Sequence, residues 1–231
     1  YDYAIVNYTV FEGNVEIISG ELLGTQTTVT LPPGTYTVKY STADNAGLMG
    51  MTTFPLVVLD TVKPVAKCKP SVIIHVNPSG VNPYILQPAE VNNGSLDACS
   101  GTNLTYALSL DTFRCMQAGN IYTVTLSVTD TSGNTAKCTT VVSVQIEKPH
   151  PSYDSVCEGD TLKLYANPPV PGLFTYSWAG PMFSATEQNP TAIPFEAGLY
   201  TVTITGAGCT ATAAVSVNFA SLKKPEFSVG G

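Results

Sequence analysis

The sequence has little charge. Asp, Glu, Lys and Arg make up 12% of its 231 residues, and 10 basic against 17 acidic side chains leave a net charge of −7. A field of that sign repels phosphate, which argues against nucleic acid and anionic membrane surfaces as partners. Long hydrophobic runs are also missing: "PLVVLD" and "VVSVQI" fall far short of the roughly 20 residues that a membrane-spanning helix requires. Histidine occurs twice, in separate modules of the organisation derived below. His75 sits in the alternating stretch "VIIHVNP" and His150 between two prolines, and neither setting is that of a general base. No Gly-x-Ser-x-Gly, His-Glu-x-x-His or glycine-rich phosphate loop is present, and no two carboxylates are marked as partners. The chain therefore reads as non-enzymatic, with no catalytic residue and no cofactor-binding motif.

Sustained helical periodicity is absent as well. Apolar residues alternate with Thr, Ser and Lys instead: Tyr36, Val38, Tyr40; Tyr122, Val124, Leu126, Val128; Tyr200, Val202, Ile204. A period of two marks strands with one buried and one wet face, and 19 Gly and 17 Pro punctuate them at turn-like intervals. Each of these three strands opens with the same "YTV", shortly after a glycine; "ADNAG" and "TDTSGN" after the first two read as hairpin turns. Lys63-Pro64, Lys148-Pro149 and Lys224-Pro225 follow the three tyrosines in step. The tyrosines recur at about 80 residues, the size of an immunoglobulin-like β-sandwich.

The prediction is an all-β chain of tandem immunoglobulin-like sandwiches in an elongated array. Residues 1–60 form a short or partial module, 61–147 and 148–220 two full ones, and 221–231 a linker or the start of another. Tyr36, Tyr122 and Tyr200 are structural residues, each with a buried ring and a hydroxyl tied back to the preceding connection. Trp178, with Tyr176 and Phe174 on one strand face, offers either a sugar-binding platform or core, and the strand period assigns it to core.

Six cysteines, Cys68, Cys99, Cys115, Cys138, Cys157 and Cys209, contain no Cys-x-x-Cys, so zinc and redox motifs fail and structural disulfides in an exported protein are expected. The opening at Tyr1, without a Met, reads as a piece of a longer protein whose leader and anchor lie elsewhere. Asp44, Asp60 and Asp130 fall in turns or at a module junction, where carboxylate and carbonyl oxygens can converge on calcium. The same residues cap turns by bonding their own backbone, which accounts for them without a metal. Asn7, Asn93 and Asn103 open Asn-x-Ser/Thr sequons, relevant only to a eukaryotic secretory route.

The stretch "DTVKPVAKC…GSLDACSG…TFRC…GNIYTVTLSVTDTSGNTAKCTTVVSV" resembles the hyalin-repeat (HYR) modules found in tandem in Bacteroidetes cell-surface proteins. Residues 148–220, "VCEGDTLKLYA…YSWAGP…GLYTVTITGAGC", resemble the PKD-like or immunoglobulin-like modules that accompany them. Residues 1–60 resemble only the latter half of an HYR module, with Thr52 where the second module has Cys138. The resemblance implies a segment of a large type IX-secreted adhesin of the gliding-motility kind, on the bacterial outer surface. Its implied partners are a surface polysaccharide or other extracellular ligand, with the chain itself a monomer. The alternative is a carbohydrate-binding or spacer region attached to a secreted hydrolase. Thr61, Ser155 and Thr161 stand in Asp-Ser/Thr-aliphatic triplets that resemble the O-glycosylation acceptor of such bacteria. Four cysteines in one module allow three pairings, and the module boundary leaves Cys157 to Cys209. The expected bonds are Cys68–Cys138, Cys99–Cys115 and Cys157–Cys209.

Overall fold

The computed structural model describes residues 5–22, 26–157, 159–193 and 195–219. The segment 221–231, read as a linker or further module, lies outside them. The chain divides into two compact units. One comprises Tyr1–Lys67, Gly94–Ala107 and Ser127–Lys137; the other comprises Cys68–Asn93, Leu108–Leu126 and Cys138–Gly231. The division does not follow the Lys-Pro joints, since stretches of 61–147 belong to each unit.

In the first unit, β1 (Ile5–Glu12), β2 (Val15–Glu21), β3 (Gly34–Ala43) and β4 (Met49–Val58) form one antiparallel sheet in the order β2-β1-β3-β4. The alternation seen in the sequence sets the buried face: Tyr36 and Val38 of β3 join Tyr8 and Val10 of β1, with Val10 directly opposite Val38. Val29 and Leu31 pack against this cluster. Among the described residues four buried side chains make a small core, in keeping with a single sheet.

The 61–147 segment supplies β5 (Ser71–Val76), β6 (Tyr84–Ile85), α1 (Pro88–Val91), β7 (Thr105–Leu108), β8 (Thr112–Phe113), β9 (Ile121–Thr129) and β10 (Thr135–Ile146). They pair as a four-stranded sheet β5-β10-β9-β7 and a two-stranded one, β6-β8. Ile74, Leu86, Phe113, Leu126 and Val144 are fully buried, and Cys68 is bonded to Cys138 as expected.

The third segment is a sandwich of two sheets. β11 (Ser152–Tyr153), β12 (Leu162–Tyr165) and β15 (Thr191–Ala192) form one; β13 (Thr175–Gly180), β14 (Phe183–Ala185), β16 (Gly198–Gly206) and β17 (Cys209–Val217) form the other, in the order β14-β13-β16-β17. Trp178, Tyr200, Leu162, Leu164, Val202 and Ile204 fill its core. The β16–β17 hairpin closes on two residues, Ala207 and Gly208, both at positive φ (46° and 84°), the turn whose twist matches that of paired strands.

Two tyrosines behave as the sequence predicts. Tyr36 donates its hydroxyl to the Pro32 carbonyl at 2.8 Å and Tyr200 to the Glu196 carbonyl at 2.9 Å, each four residues back. Tyr122 does not. It is half-buried, edge-on to Phe113, and among the described residues its hydroxyl has no hydrogen bond. Gly34 and Gly198 precede their tyrosines by two positions, whereas Gly119 precedes Tyr122 by three. The extra Ile121, and the 3-10 turn Cys115–Gln117 ahead of it, displace the connection that would accept the bond. Tyr36→Phe and Tyr200→Phe are each expected to cost about 1 kcal/mol, the net value of one hydrogen bond, and Tyr122→Phe close to nothing. Thermal melts of the three variants check this; equal losses at all three positions would refute it.

The remaining cysteine expectations are corrected. Cys115 is bonded to Cys209, with Cα atoms 6.0 Å apart, while Cys99 and Cys157 are free thiols. The pairing joins the 61–147 segment to the 148–220 segment because the loop after β5 packs on the β16–β17 turn. A Cβ at Gly80 would stand 2.7 Å from the Ala207 Cβ, and one at Gly206 would stand 3.0 Å from the Pro78 carbonyl and the Phe174 ring. The Lys-Pro joint here is not a loose tether either: Pro149 is buried, and His150 and Asn167 exchange hydrogen bonds of 3.0 Å.

Candidate metal centre

Three loops of the first unit carry one buried aspartate each: Asp60 after β4, Asp97 in the turn before β7, and Asp130 after β9. Each uses Oδ1 to hold its own loop. Asp60 Oδ1 accepts the Val62 N–H at 3.0 Å; Asp97 Oδ1 accepts Cys99 and Ser100 N–H at 2.8 and 2.7 Å; Asp130 Oδ1 accepts Ser132 and Asn134 N–H at 2.9 and 2.8 Å. This is the local bonding that favours Asp in turns. The Asn134 side-chain amide then ties two loops together by donating to the Asp60 carbonyl at 3.0 Å and to Asp130 Oδ2 at 2.9 Å.

What the turns do not explain is the second oxygen of the other two. Asp60 Oδ2 and Asp97 Oδ2 are buried and, among the described residues, receive no N–H or O–H hydrogen bond, although the residues are only 9% and 3% exposed. A carboxylate oxygen, Asp60's and Asp97's alike, lies within 4.8 Å of the other and of the Cys99 sulfur. Burying such oxygens unpaired is costly, so native structures rarely keep them without a reason.

Charge and solvation separate the members of the cluster. Burial works against ionisation of Asp130, but the Asn134 side chain and the Asn134, Ser132 and Gly133 N–H groups outweigh it and hold the carboxyl below its ordinary range. Local desolvation comes first, then the charge of Asp60 and a hydrogen bond from the thiol to its carboxylate, then the charges of Asp97 and Asp130; together they push the Cys99 thiol up. A raised thiol pKa lowers the thiolate fraction and with it the nucleophilicity of Cys99.

Of the calcium candidates read from the sequence, Asp60 and Asp130 come to this loop cluster and Asp44 does not. Asp44 caps its own hairpin, accepting the Ala46 and Leu48 N–H at 2.9 and 2.8 Å, and is exposed. Asp97 was not singled out; in "GSLDACS" nothing distinguishes it from an ordinary turn residue. Trp178 is in the core, and Tyr176 and Phe174 pack partly buried against it, so the three form no exposed sugar platform. Thr61, Ser155 and Thr161 are exposed and lie outside strands, as modification would require. His75 and His150, assigned to separate modules, line one groove of about 560 Å³ in the second unit with Glu147 and Lys148, and both are exposed. Among the described residues no helix is long and apolar enough to cross a membrane.

No protein-family model matches the chain, and no curated protein matches it. Solved structures similar to it include the human desmocollin-1 ectodomain, at 15% identity over 96% of this chain and 52% of that one, with a TM-score of 0.28. The titin I-band fragment I67–I69 is similar at 14% identity over 94% and 88%, with a TM-score of 0.28. Mouse cadherin-23 EC22–24 is similar at 18% identity over 93% and 86%, also with a TM-score of 0.28. The chain spans about half the length of the desmocollin ectodomain.

Proposed function

We propose that this chain is a load-bearing, non-enzymatic segment of a large extracellular surface protein of adhesin type, built from HYR-like and PKD-like modules. It acts on the outer surface of a bacterium, as a spacer or adhesive repeat in attachment and gliding, and its ligand, where it holds one, is a surface polysaccharide. The observation that carries the reading is the Cys115–Cys209 disulfide, which bonds the second module to the third. It stops two neighbouring domains from separating, a need that arises when force passes along the chain. The buried Pro149 and the close approach at Gly80 serve the same end, since they leave the joint no room to bend without breaking packed contacts.

Disulfides persist in oxidising surroundings and are rare where glutathione keeps thiols reduced. Non-reducing peptide mapping of the protein taken from its native cells is therefore expected to recover Cys68 linked to Cys138 and Cys115 linked to Cys209, with Cys99 and Cys157 alkylatable. Recovery of all six as free thiols would end the extracellular reading.

A further inference from the structure

We propose that Asp60 and Asp97 bind one calcium ion, with Asn134 and Asp130 fixing the Asp60 loop in place. The inference goes beyond the load-bearing role and does not depend on it. Its basis is the pair of buried, unpaired oxygens, Asp60 Oδ2 and Asp97 Oδ2. Among the described residues no cationic side chain hydrogen-bonds to either one, and the neighbouring Cys99 thiol brings no positive charge. A cation between them supplies what is missing.

The spacing suits an ion of this kind. Two ligand oxygens each about 2.4 Å from one calcium ion stand no more than roughly 5 Å apart, and one carboxylate oxygen of Asp60 lies within 4.8 Å of one of Asp97. The supporting groups are already spoken for: Oδ1 of each aspartate is locked to its own backbone, so the free oxygens are aimed by the loops and not by side-chain chance. The donor set selects the metal. Zinc favours several imidazole and thiolate ligands in a tetrahedron, whereas this unit contains neither histidine and a single cysteine at the exposed rim. Calcium accepts six to eight oxygens, and backbone carbonyls and water complete its shell where a site supplies two carboxylates. A ligand set of only two carboxylates places the affinity in the weak range of extracellular modules, a Kd of about 10⁻⁴–10⁻³ M.

Calorimetric titration of the 231-residue chain, stripped with chelator, tests the proposal with calcium chloride and zinc chloride as the probes. One calcium per chain is expected, with a rise in the melting temperature. Asp60→Asn and Asp97→Asn each weaken binding at least tenfold while keeping the Oδ1 acceptor that holds the loop, which far-ultraviolet circular dichroism verifies. Cys99→Ser changes calcium affinity by less than twofold. Absence of calcium binding by the parent chain at 10 mM would overturn the proposal. So would calcium binding that both Asn variants retain, or a zinc site abolished by Cys99→Ser in a chain that ignores calcium.

Discussion

Mechanical unfolding of the oxidised chain is expected to release roughly 400 Å less length than unfolding of the reduced chain, because the two disulfides overlap. Cys68–Cys138 and Cys115–Cys209 span 70 and 94 residues of sequence, and the second begins inside the first. Tension entering at Cys68 crosses to Cys138, runs backward along the chain to Cys115, and crosses to Cys209. Of the roughly 140 residues between Cys68 and Cys209, only about 23 then bear load, and at about 3.4 Å per residue they extend by roughly 80 Å where the reduced chain yields roughly 480 Å. The variants order themselves by the same logic. Removing Cys68–Cys138 leaves about 47 residues in the loaded path and roughly 160 Å. Removing Cys115–Cys209 leaves about 71 residues and roughly 240 Å. Single-molecule pulling on the parent chain and on the two double Cys→Ser variants measures all four lengths. Equal lengths with and without reductant would show that the bonds do not carry the load, and the proposed role would lose its main support.

The largest single-residue effect is expected at Trp178. Its indole is 1% exposed in the core of the third sandwich, packed with Leu162, Leu164, Tyr200 and Val202, and it is the only tryptophan in the chain. Trp178→Ala removes the largest buried side chain and leaves a cavity that β-sheets on both sides cannot close, at a cost of about 3–5 kcal/mol. For a domain of this size that lowers the melting transition by more than about 12 °C. Trp178→Phe is expected to cost about half as much or less. It keeps an aromatic ring in place and removes an indole N–H that is buried without a hydrogen-bond partner. Calorimetry that follows the transition of the third sandwich distinguishes the two; an Ala variant that melts with the parent would contradict the core assignment.

The strands, their faces and the two tyrosine corners were legible in the sequence because their causes are local. A period of two places Val124, Leu126 and Val128 on one face whatever lies opposite, and Gly-x-Tyr-Thr-Val places a turn and an anchoring hydroxyl within a few residues of each other. The exception at Tyr122 was equally local, since the extra residue after Gly119 stands in plain sight. Asp44 and Asp130 in their hairpins follow from the same short-range bonding. The partners of the cysteines and the company of Asp97 were decided otherwise. Cys115 meets Cys209 because the loop at Gly80 packs on a hairpin tip more than a hundred positions further on, and Asp97 meets Asp60 because two loops fold to one place. Such pairings depend on how separately formed sheets and loops close on one another. No local period encodes that closure, so alternation and turn chemistry determined the elements, and tertiary packing alone chose which thiols are bonded and which carboxylates share a site.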